Sequence, residues 1–297
     1  MRFWGWFRRK SAAEEETSGR SFWRRDDASA YILQGDELGR LDVQHVLLQL
    51  AAGKNYRAPI RQPRAILDVA CGTGTWGRQM AVEFPRAEVV GFDINEDQVR
   101  RAEAHLAKVG LPANFRFLKA DALQPFPFAD ESFDFTHARL LSPFVPVARW
   151  PDVVGEMVRV TRRGGNIELV DFSASGSDST SQAVLRLWEL SARAMQGRGL
   201  YAGAGPALAQ LLEGAGVQRV QVRKFVIGEG RSATRQQRLQ KTNTLAGLTD
   251  LGDFVAKRMQ LISPEEYQAL LKQARDDLAR PESRIYTPFY FVFGIKL

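Results

Sequence analysis

Cysteine is scarce in this chain, and long apolar runs are missing. Cys71 is the single cysteine among 297 residues, so an intrachain disulfide and a multi-cysteine zinc site are both excluded. No metal site is expected. No apolar run approaches the ~20 residues of a membrane-spanning helix, and residues 1–10 lack the continuous apolar stretch of a secretory signal. These absences predict a cytoplasmic protein without a transmembrane segment.

A strong excess of positive charge is also missing from most of the chain. The formal net charge is +7, of which +4 lies in residues 1–25. The surplus over the remaining residues is small for a nucleic-acid-binding surface, so we do not expect a nucleic acid partner. Residues 1–27 have little to bury and are predicted to form a flexible basic and aromatic arm. Residues 1–10 either make peripheral contact with an anionic membrane surface or form a tail or packing strap.

Residues 28–297 alternate between strand and helix patterns. This rhythm predicts an α/β fold with a doubly wound, mostly parallel seven-stranded sheet, an N-terminal helical cap and a helical insertion before the last strand. A cofactor-binding core at 64–172 is flanked by three segments that we expect to form substrate or lid elements, namely 28–55, 173–215 and 228–286. The predicted strands are 65–70, 88–93, 114–118, 132–136, 166–170, 219–227 and 289–293. The predicted helices are 40–52, 75–84, 95–109, 152–160, 181–194, 206–212, 248–259 and 263–279.

The first predicted strand ends in a glycine-rich turn. Small residues at Gly72 and Gly74 let the backbone approach a ligand closely, and the next helix offers its free N–H groups to an anion. The spacing of Gly72, Gly74 and Gly77 also matches the dinucleotide-binding fingerprint. However, Asp68 lies just ahead of the glycines, where it would repel a pyrophosphate but can face a cationic amino group. Asp121, after the third strand, is suited to accept from an adenine amino group, so a dehydrogenase is disfavoured.

These segments resemble the motifs of class I S-adenosylmethionine-dependent methyltransferases. Residues 66–74 are similar to their first motif, Asp93 to their ribose-binding acid and Asp121 to their adenine-side position. Residues 133–135 and 163–165 look like their fourth strand and the turn before the fifth, although Arg163 stands where proline is usual. A closer resemblance, to LaeA-like and UbiE-type methyltransferases, is carried by segments 31–33, 35–37, 40–45, 72–76 and 137–139.

The resemblance implies S-adenosyl-L-methionine as the cofactor and an N-terminal helix folded over its pocket. It implies in-line methyl transfer but identifies no acceptor. The cofactor-binding residues that it implies are Asp68, Ala70, Gly72, Thr73, Gly74, Asp93, Ile94, Asp121, Ala122 and Arg139.

No catalytic signature stands out, because a sulfonium supplies an activated methyl group and the enzyme mainly aligns the attacking atom. His137 and Arg139, predicted to follow the fourth strand, either line the cofactor or acceptor pocket or have structural roles. In the structural alternative, Arg139 pairs with a carboxylate such as Asp171. The candidates for proton transfer are His137 and His45, the latter on the N-terminal helix.

The predicted function is therefore an S-adenosylmethionine-dependent methyltransferase that acts on a small-molecule, secondary-metabolite-like acceptor. Two alternatives stay open at this point. One is a protein or RNA methyltransferase. The other is a LaeA-like regulatory protein that binds the cofactor and acts through partners.

Overall fold

The computed structural model describes residues 37–95, 100, 112–229 and 233–297 of the chain. The arm predicted at 1–27, the motif segment 31–36 and most of the helix predicted over 95–109 lie outside the described residues. Within the described part of the chain, no helix is long and apolar enough to cross a membrane.

The described strands form a mostly parallel sheet, which confirms the predicted fold class, but the sheet has eight strands rather than the seven predicted. Strands β1 to β5 run parallel in the order β3-β2-β1-β4-β5, and β8 is antiparallel between β5 and β7. A two-residue strand, β6, adds a short antiparallel pairing at the start of β8. The strands are β1 Ala65–Val69, β2 Glu88–Asp93, β3 Phe115–Lys119, β4 Phe133–Arg139, β5 Thr161–Phe172, β6 Asp178–Ser179, β7 Gln218–Ile227 and β8 Ile285–Ile295.

The helices lie before, between and after the parallel strands. They are α1 Glu37–Ala52, α2 Thr75–Glu83, α3 Trp150–Val160, α4 Gln182–Gly197, α5 Leu208–Gly214, α6 Ala233–Asp253 and α7 Pro264–Ala279. A turn of π-helix, Phe254–Arg258, extends α6. Ser263 and Glu266 form the capping box at the start of α7 that their spacing predicts.

Alternating side chains on each strand divide the core between the two faces of the sheet. Leu67 and Val69 of β1 pack with α3 and α5 on one face. Ile66 packs on the other face with Trp76 and Met80 of α2. Asp68 shares this second face with Ile66, since residues two apart on a strand point the same way. The charged residue therefore faces the side of the sheet that α1 and α2 cover.

The helix before the π-turn begins earlier than predicted. The apolar pattern placed a helix at 248–259, whereas α6 starts at Ala233. The reason is that the first half of α6 buries amides rather than apolar side chains. Gln236 accepts from the N–H of Gly228, and Gln237 exchanges two hydrogen bonds of 2.8 Å with the backbone of Ile285. Hydrophobic periodicity does not detect a face of this kind.

A separate apolar cluster holds α4, α6 and α7 together beside the sheet. We call these three helices the helical layer. Its centre includes Leu187, Phe254 and Leu271, and the Tyr267 hydroxyl donates to the Leu248 carbonyl at 2.6 Å. Trp150 is 1% exposed and belongs to the sheet core, so it does not line a pocket there.

Candidate functional site

The glycine-rich turn after β1 is shaped by close packing on one side. Gly74 has φ +69° and ends the turn as the N-cap of α2, without a side-chain cap among the described residues. A Cβ at Gly74 would overlap the Phe117 ring, and a Cβ at Gly91 would lie 2.9 Å from the Cys71 sulfur. Burial raises the pKa of the Cys71 thiol well above its usual value, so Cys71 fits the turn as a small inert side chain.

The predicted acids lie at the carboxyl ends of three neighbouring strands. Asp68 is 2% and Asp93 8% exposed. Asp93 accepts from the N–H of Gly72 and of Asn95, each at 3.0 Å, and burial raises its pKa. Asp121 follows β3, is half-buried and accepts from the Leu123 N–H at 2.9 Å. Ile94 and Ala122, each next to one of these acids, are also half-buried.

Three polar residues on β1, β4 and β5 lie side by side across the sheet. Asp68, His137 and Glu168 are direct neighbours in the strand register, and we call them the polar row. The His137 Nδ1 lies 3.3 Å from Asp68 Oδ1, and its Nε2 lies 3.9 Å from Glu168 Oε1. Trp76 stacks on the imidazole with ring centroids 3.8 Å apart. All three residues of the row are at most 2% exposed.

Glu168 has one oxygen in use and one without a partner. Its Oε2 accepts from the N–H of Arg57 at 2.6 Å and of Ala58 at 2.7 Å, which anchors the segment between α1 and β1. Its Oε1 has no hydrogen-bond partner within the described residues. Burial raises the pKa of Glu168 to about 7, although the two N–H bonds oppose that shift. A buried carboxyl with an open oxygen is a feature of functional sites.

Helix α1 covers the glycine-rich turn. Asp42 accepts from the Thr75 hydroxyl at 2.7 Å and from the Thr73 hydroxyl at 3.2 Å. Leu41 lies 3.4 Å from the position that a Cβ would take at Gly72. Farther along, Arg40 pairs with Asp250 of α6 at 3.5 Å. The N-terminal helix is thus tied to both the predicted cofactor turn and the helical layer.

Arg139 and His45 meet next to the polar row. The guanidinium donates to His45 Nδ1 at 2.9 Å. Burial, and then the charge of Arg139, lower the pKa of His45 to about 3. A cavity of about 10 Å³, room for about one water molecule, opens between α1 and the sheet here. Its lining comprises His45, Leu48, Gln49, Lys54, Asn55, His137, Arg139, Val170 and Phe291.

Two expectations about this region are corrected. His137 and Arg139 do not follow β4 but lie within it, because β4 continues to Arg139 beside β1 and β5. The pairing of Arg139 with Asp171 is not found. Asp171 accepts instead from the Ser142 N–H and hydroxyl, at 3.0 and 2.8 Å.

Several residues of the site escaped the sequence argument. The main contacts of the site are made by Glu168, Trp76 and Asp42. None of the three was predicted as a site residue, although Asp42 and Trp76 lie in segments that carry the family resemblance. An acid inside the apolar run of β5 was the available signal for Glu168, since buried acids are rare without a partner. Of the predicted residues, the structure joins Gly72 to Asp93, His137 to Asp68 and Arg139 to His45. Asp121 and Ala122 follow β3, at the same edge of the sheet as Asp68 and Asp93.

The chain is similar to known methyltransferases. A family model described as a methyltransferase domain matches residues 66–165. The methyltransferase cpsF of Aspergillus campestris is 24% identical over 82% of this chain and 89% of its own length. The secondary metabolism regulator LAE1 of Cochliobolus heterostrophus is 31% identical, over 51% of this chain and 50% of its own.

A bacterial relative and a solved structure agree with that match. The ubiquinone/menaquinone biosynthesis C-methyltransferase UbiE of Stutzerimonas stutzeri is 33% identical over 41% of this chain and 47% of its own length. The chain therefore spans about half of UbiE and of LAE1. The YcgJ protein of Bacillus subtilis has the same fold, with a TM-score of 0.51, 20% identity, and coverage of 85% of this chain and 98% of that one.

Proposed function

We propose that this chain is a class I S-adenosylmethionine-dependent methyltransferase and that it methylates a small-molecule acceptor beneath α1. The observation that carries the proposal is the small cavity between α1 and the sheet. It is lined by Arg139 and His137, and His137 contacts Asp68. In open α/β sheets, ligands bind outside the carboxyl ends of the strands.

The residues at the turn fit S-adenosylmethionine. The uncapped N-terminus of α2 and the Arg139 guanidinium suit its carboxylate. Asp68 suits its amino group, Asp93 its ribose hydroxyls and Asp121 its adenine amino group. Gly72, with φ +54° and only a side-chain methyl of Leu41 within 4 Å of a virtual Cβ, leaves a backbone cradle for it. When bound, the cofactor supplies a methyl group on a sulfonium.

The surrounding residues of the chain hold these groups and exclude water. The Gly72 and Asn95 N–H groups fix the Asp93 carboxylate, and His137 fixes Asp68. Asp42 fastens α1 over the turn through Thr73 and Thr75. We propose that α1 and the helical layer are the lid and substrate elements, within the segments 28–55, 173–215 and 228–286.

A small acceptor is favoured over a macromolecule. The cavity is small, and its lining includes two cationic side chains, the half-buried Arg139 and the exposed Lys54, rather than an extended set of basic residues. Among relatives, UbiE is named for quinone biosynthesis. The similarity to LAE1, named a regulator, keeps a cofactor-binding regulatory role as the second candidate. A cytoplasmic location, the lack of a nucleic acid partner and membrane contact through residues 1–10 remain predictions from the sequence.

Calorimetry tests the proposal. The purified full chain should bind S-adenosylmethionine and S-adenosylhomocysteine, and it should not bind NADH. Folded protein that binds neither sulfur compound would refute the assignment. Cofactor binding without any turnover on a panel of phenols, quinols and other small acceptors would favour the regulatory candidate.

A further inference from the structure

The cavity beneath α1 is lined by two histidines with unused nitrogen atoms, one from α1 and one from β4. His45 and His137 are each 1% exposed, and both line the cavity. The Nε2 atoms of both residues make no hydrogen bond of normal geometry within the described residues. Buried polar atoms are nearly always paired, so two orphan nitrogens beside one cavity indicate that a polar group binds there.

The proton of His45 is located by its neighbour. A guanidinium has only donors, so His45 Nδ1 must accept the 2.9 Å hydrogen bond from Arg139. A neutral imidazole carries one N–H, and the pKa of His45 is lowered to about 3, mainly by burial. Its proton therefore lies on Nε2. The amide of Gln79 acts in the opposite direction on this pKa, but His45 Nε2 makes no hydrogen bond of normal geometry within the described residues. His45 thus presents a donor to the cavity.

His137 carries its proton on the other nitrogen. Its Nδ1 is 3.3 Å from the carboxylate of Asp68, which can only accept. Glu168 Oε1 is 3.9 Å from Nε2, beyond hydrogen-bond distance, and the other oxygen of Glu168 is occupied by two N–H groups. Burial lowers the pKa of His137, while Asp68 opposes the shift. The neutral ring therefore has its lone pair on Nε2.

A hydroxyl group matches this pair of one donor and one acceptor. We propose that the cavity is the subsite for an acidic hydroxyl of the acceptor, phenolic or enolic, in which His45 Nε2–H donates to its oxygen and His137 Nε2 accepts its proton. This proposal rests on the proposed function and names its acceptor class. The cavity is large enough for the hydroxyl itself, and Lys54, which also lines it, is exposed to solvent.

The proton transfer balances within the chain. The O–H bond breaks, its proton forms an N–H bond at His137 Nε2, and the oxygen keeps the electron pair. The imidazolium that results is stabilised by the carboxylate of Asp68, as in other aspartate-histidine pairs. The charge on the oxygen is stabilised by the N–H of His45, which Arg139 holds in place. The product is an oxyanion, a stronger nucleophile than the neutral hydroxyl.

Nitrogen NMR of the full chain tests the two tautomers directly. The chain has three histidines, so ¹⁵N-histidine labelling gives a simple long-range ¹H–¹⁵N spectrum at pH 7. His45→Gln, His137→Gln and His105→Gln assign the signals, and any two of them suffice if one variant fails to fold. We expect the Nε2–H form at His45 and the Nδ1–H form at His137. The same tautomer at both residues, or an imidazolium at His137, would overturn the proposal.

Phenol and toluene form a matched pair of probes for the hydroxyl. Phenol should move the Nε2 signals of His45 and His137 and bind roughly tenfold more tightly than toluene, the scale of a good hydrogen bond. Shifts that are equal for the two probes, or absent with phenol, indicate a purely structural cavity and overturn the proposal. Both spectra are recorded with and without S-adenosylhomocysteine. Loss of cofactor binding with opposite tautomers retained would refute the proposed function alone.

Discussion

Two groups of ionisable residues at opposite ends of the parallel strands differ in their burial and in their hydrogen-bond partners. The polar row is buried, and Glu168 Oε1 and His137 Nε2 have no partner within the described residues. Near the amino end of β4 and on α3, a second group is half-buried and paired. We call it the basal cluster, and it comprises Asp134, Glu156, Arg159 and Arg162.

The basal cluster satisfies its charges with fixed partners. Asp134 accepts from the Arg64 and Ala65 N–H groups, at 2.6 and 2.9 Å, and from Arg162 at 2.8 Å. Such pairs hold the chain together. The polar row has buried atoms without a partner within the described residues, which lowers stability. The basal cluster therefore serves folding, whereas the polar row keeps a destabilising arrangement that binding or chemistry explains.

The largest expected effect comes from removing the ring that packs on the polar row. Trp76→Ala should lower the free energy of unfolding by about 3–5 kcal/mol, since Trp76 is fully buried, stacks on His137 and donates to the Asn55 carbonyl at 2.9 Å. Urea titration measures this loss, and S-adenosylhomocysteine affinity should fall with it. Trp188→Ala, in the partly buried rim of the helical layer, is the control. If both variants lost the same unfolding free energy and kept their S-adenosylhomocysteine affinity, Trp76 would have no particular role at the polar row and the prediction would be wrong.

The next effect is a change in the free energy of unfolding that has opposite signs when two different glutamates are replaced by glutamine. Burial raises the pKa of Glu168 from 4.5 to about 7, so ionisation destabilises the fold increasingly as pH rises between these values and fully above them. Glu168→Gln should therefore raise the free energy of unfolding at pH 8 by about 1–3 kcal/mol and change it little near pH 4.

Glu156→Gln is the matched variant in the basal cluster. Burial acts to raise the pKa of Glu156, but the hydrogen bonds from Arg159 and the Phe126 N–H outweigh it and the pKa is lowered. Its stabilisation is present above pH 4.5 and is lost as pH falls through the lowered pKa. The variant should lose about 0.5–1 kcal/mol at pH 7, after allowance for solvent screening. Unfolding curves of both variants at a series of pH values check the opposite signs; the same sign in both would refute the contrast.

A third pair of variants separates cofactor affinity from the free energy of unfolding. Asp93→Ala should weaken S-adenosylhomocysteine binding by more than roughly tenfold, because a hydrogen bond to a charged group is lost. Asp134→Ala should leave that affinity unchanged and cost about 1–3 kcal/mol of unfolding free energy, because three donors lose their acceptor. Calorimetry and urea titration of both variants give the two quantities. Unchanged affinity in Asp93→Ala would refute the ribose assignment.

The smallest expected effect is at the N-terminus. Deletion of residues 1–25 should leave S-adenosylhomocysteine affinity the same within error, because the polar row, the basal cluster and the glycine-rich turn are all formed by later residues. A large loss in calorimetry would show that this segment contributes to the pocket.

The parallel sheet, the glycine-rich turn and the acids around it could be predicted because they are local patterns. Strand periodicity and glycine spacing identify β1 and its turn, and Asp68 and Asp93 lie within or directly beside those patterns. The start of α6 was missed because Gln236 and Gln237 form a buried amide face, which no apolar periodicity reveals.

The amino-acid order alone was enough for the fold class and for the positions of Asp68, Asp93 and Asp121, since both depend on residues close together in the chain. The contacts that define the chemistry came only from folding. Strand register sets Asp68, His137 and Glu168 side by side, and the docking of α1 brings His45 to Arg139 across 94 positions. Those neighbours decide which nitrogen of each histidine carries the proton. A hydrogen bond needs atoms within about 3 Å, and packing rather than spacing along the chain sets that distance.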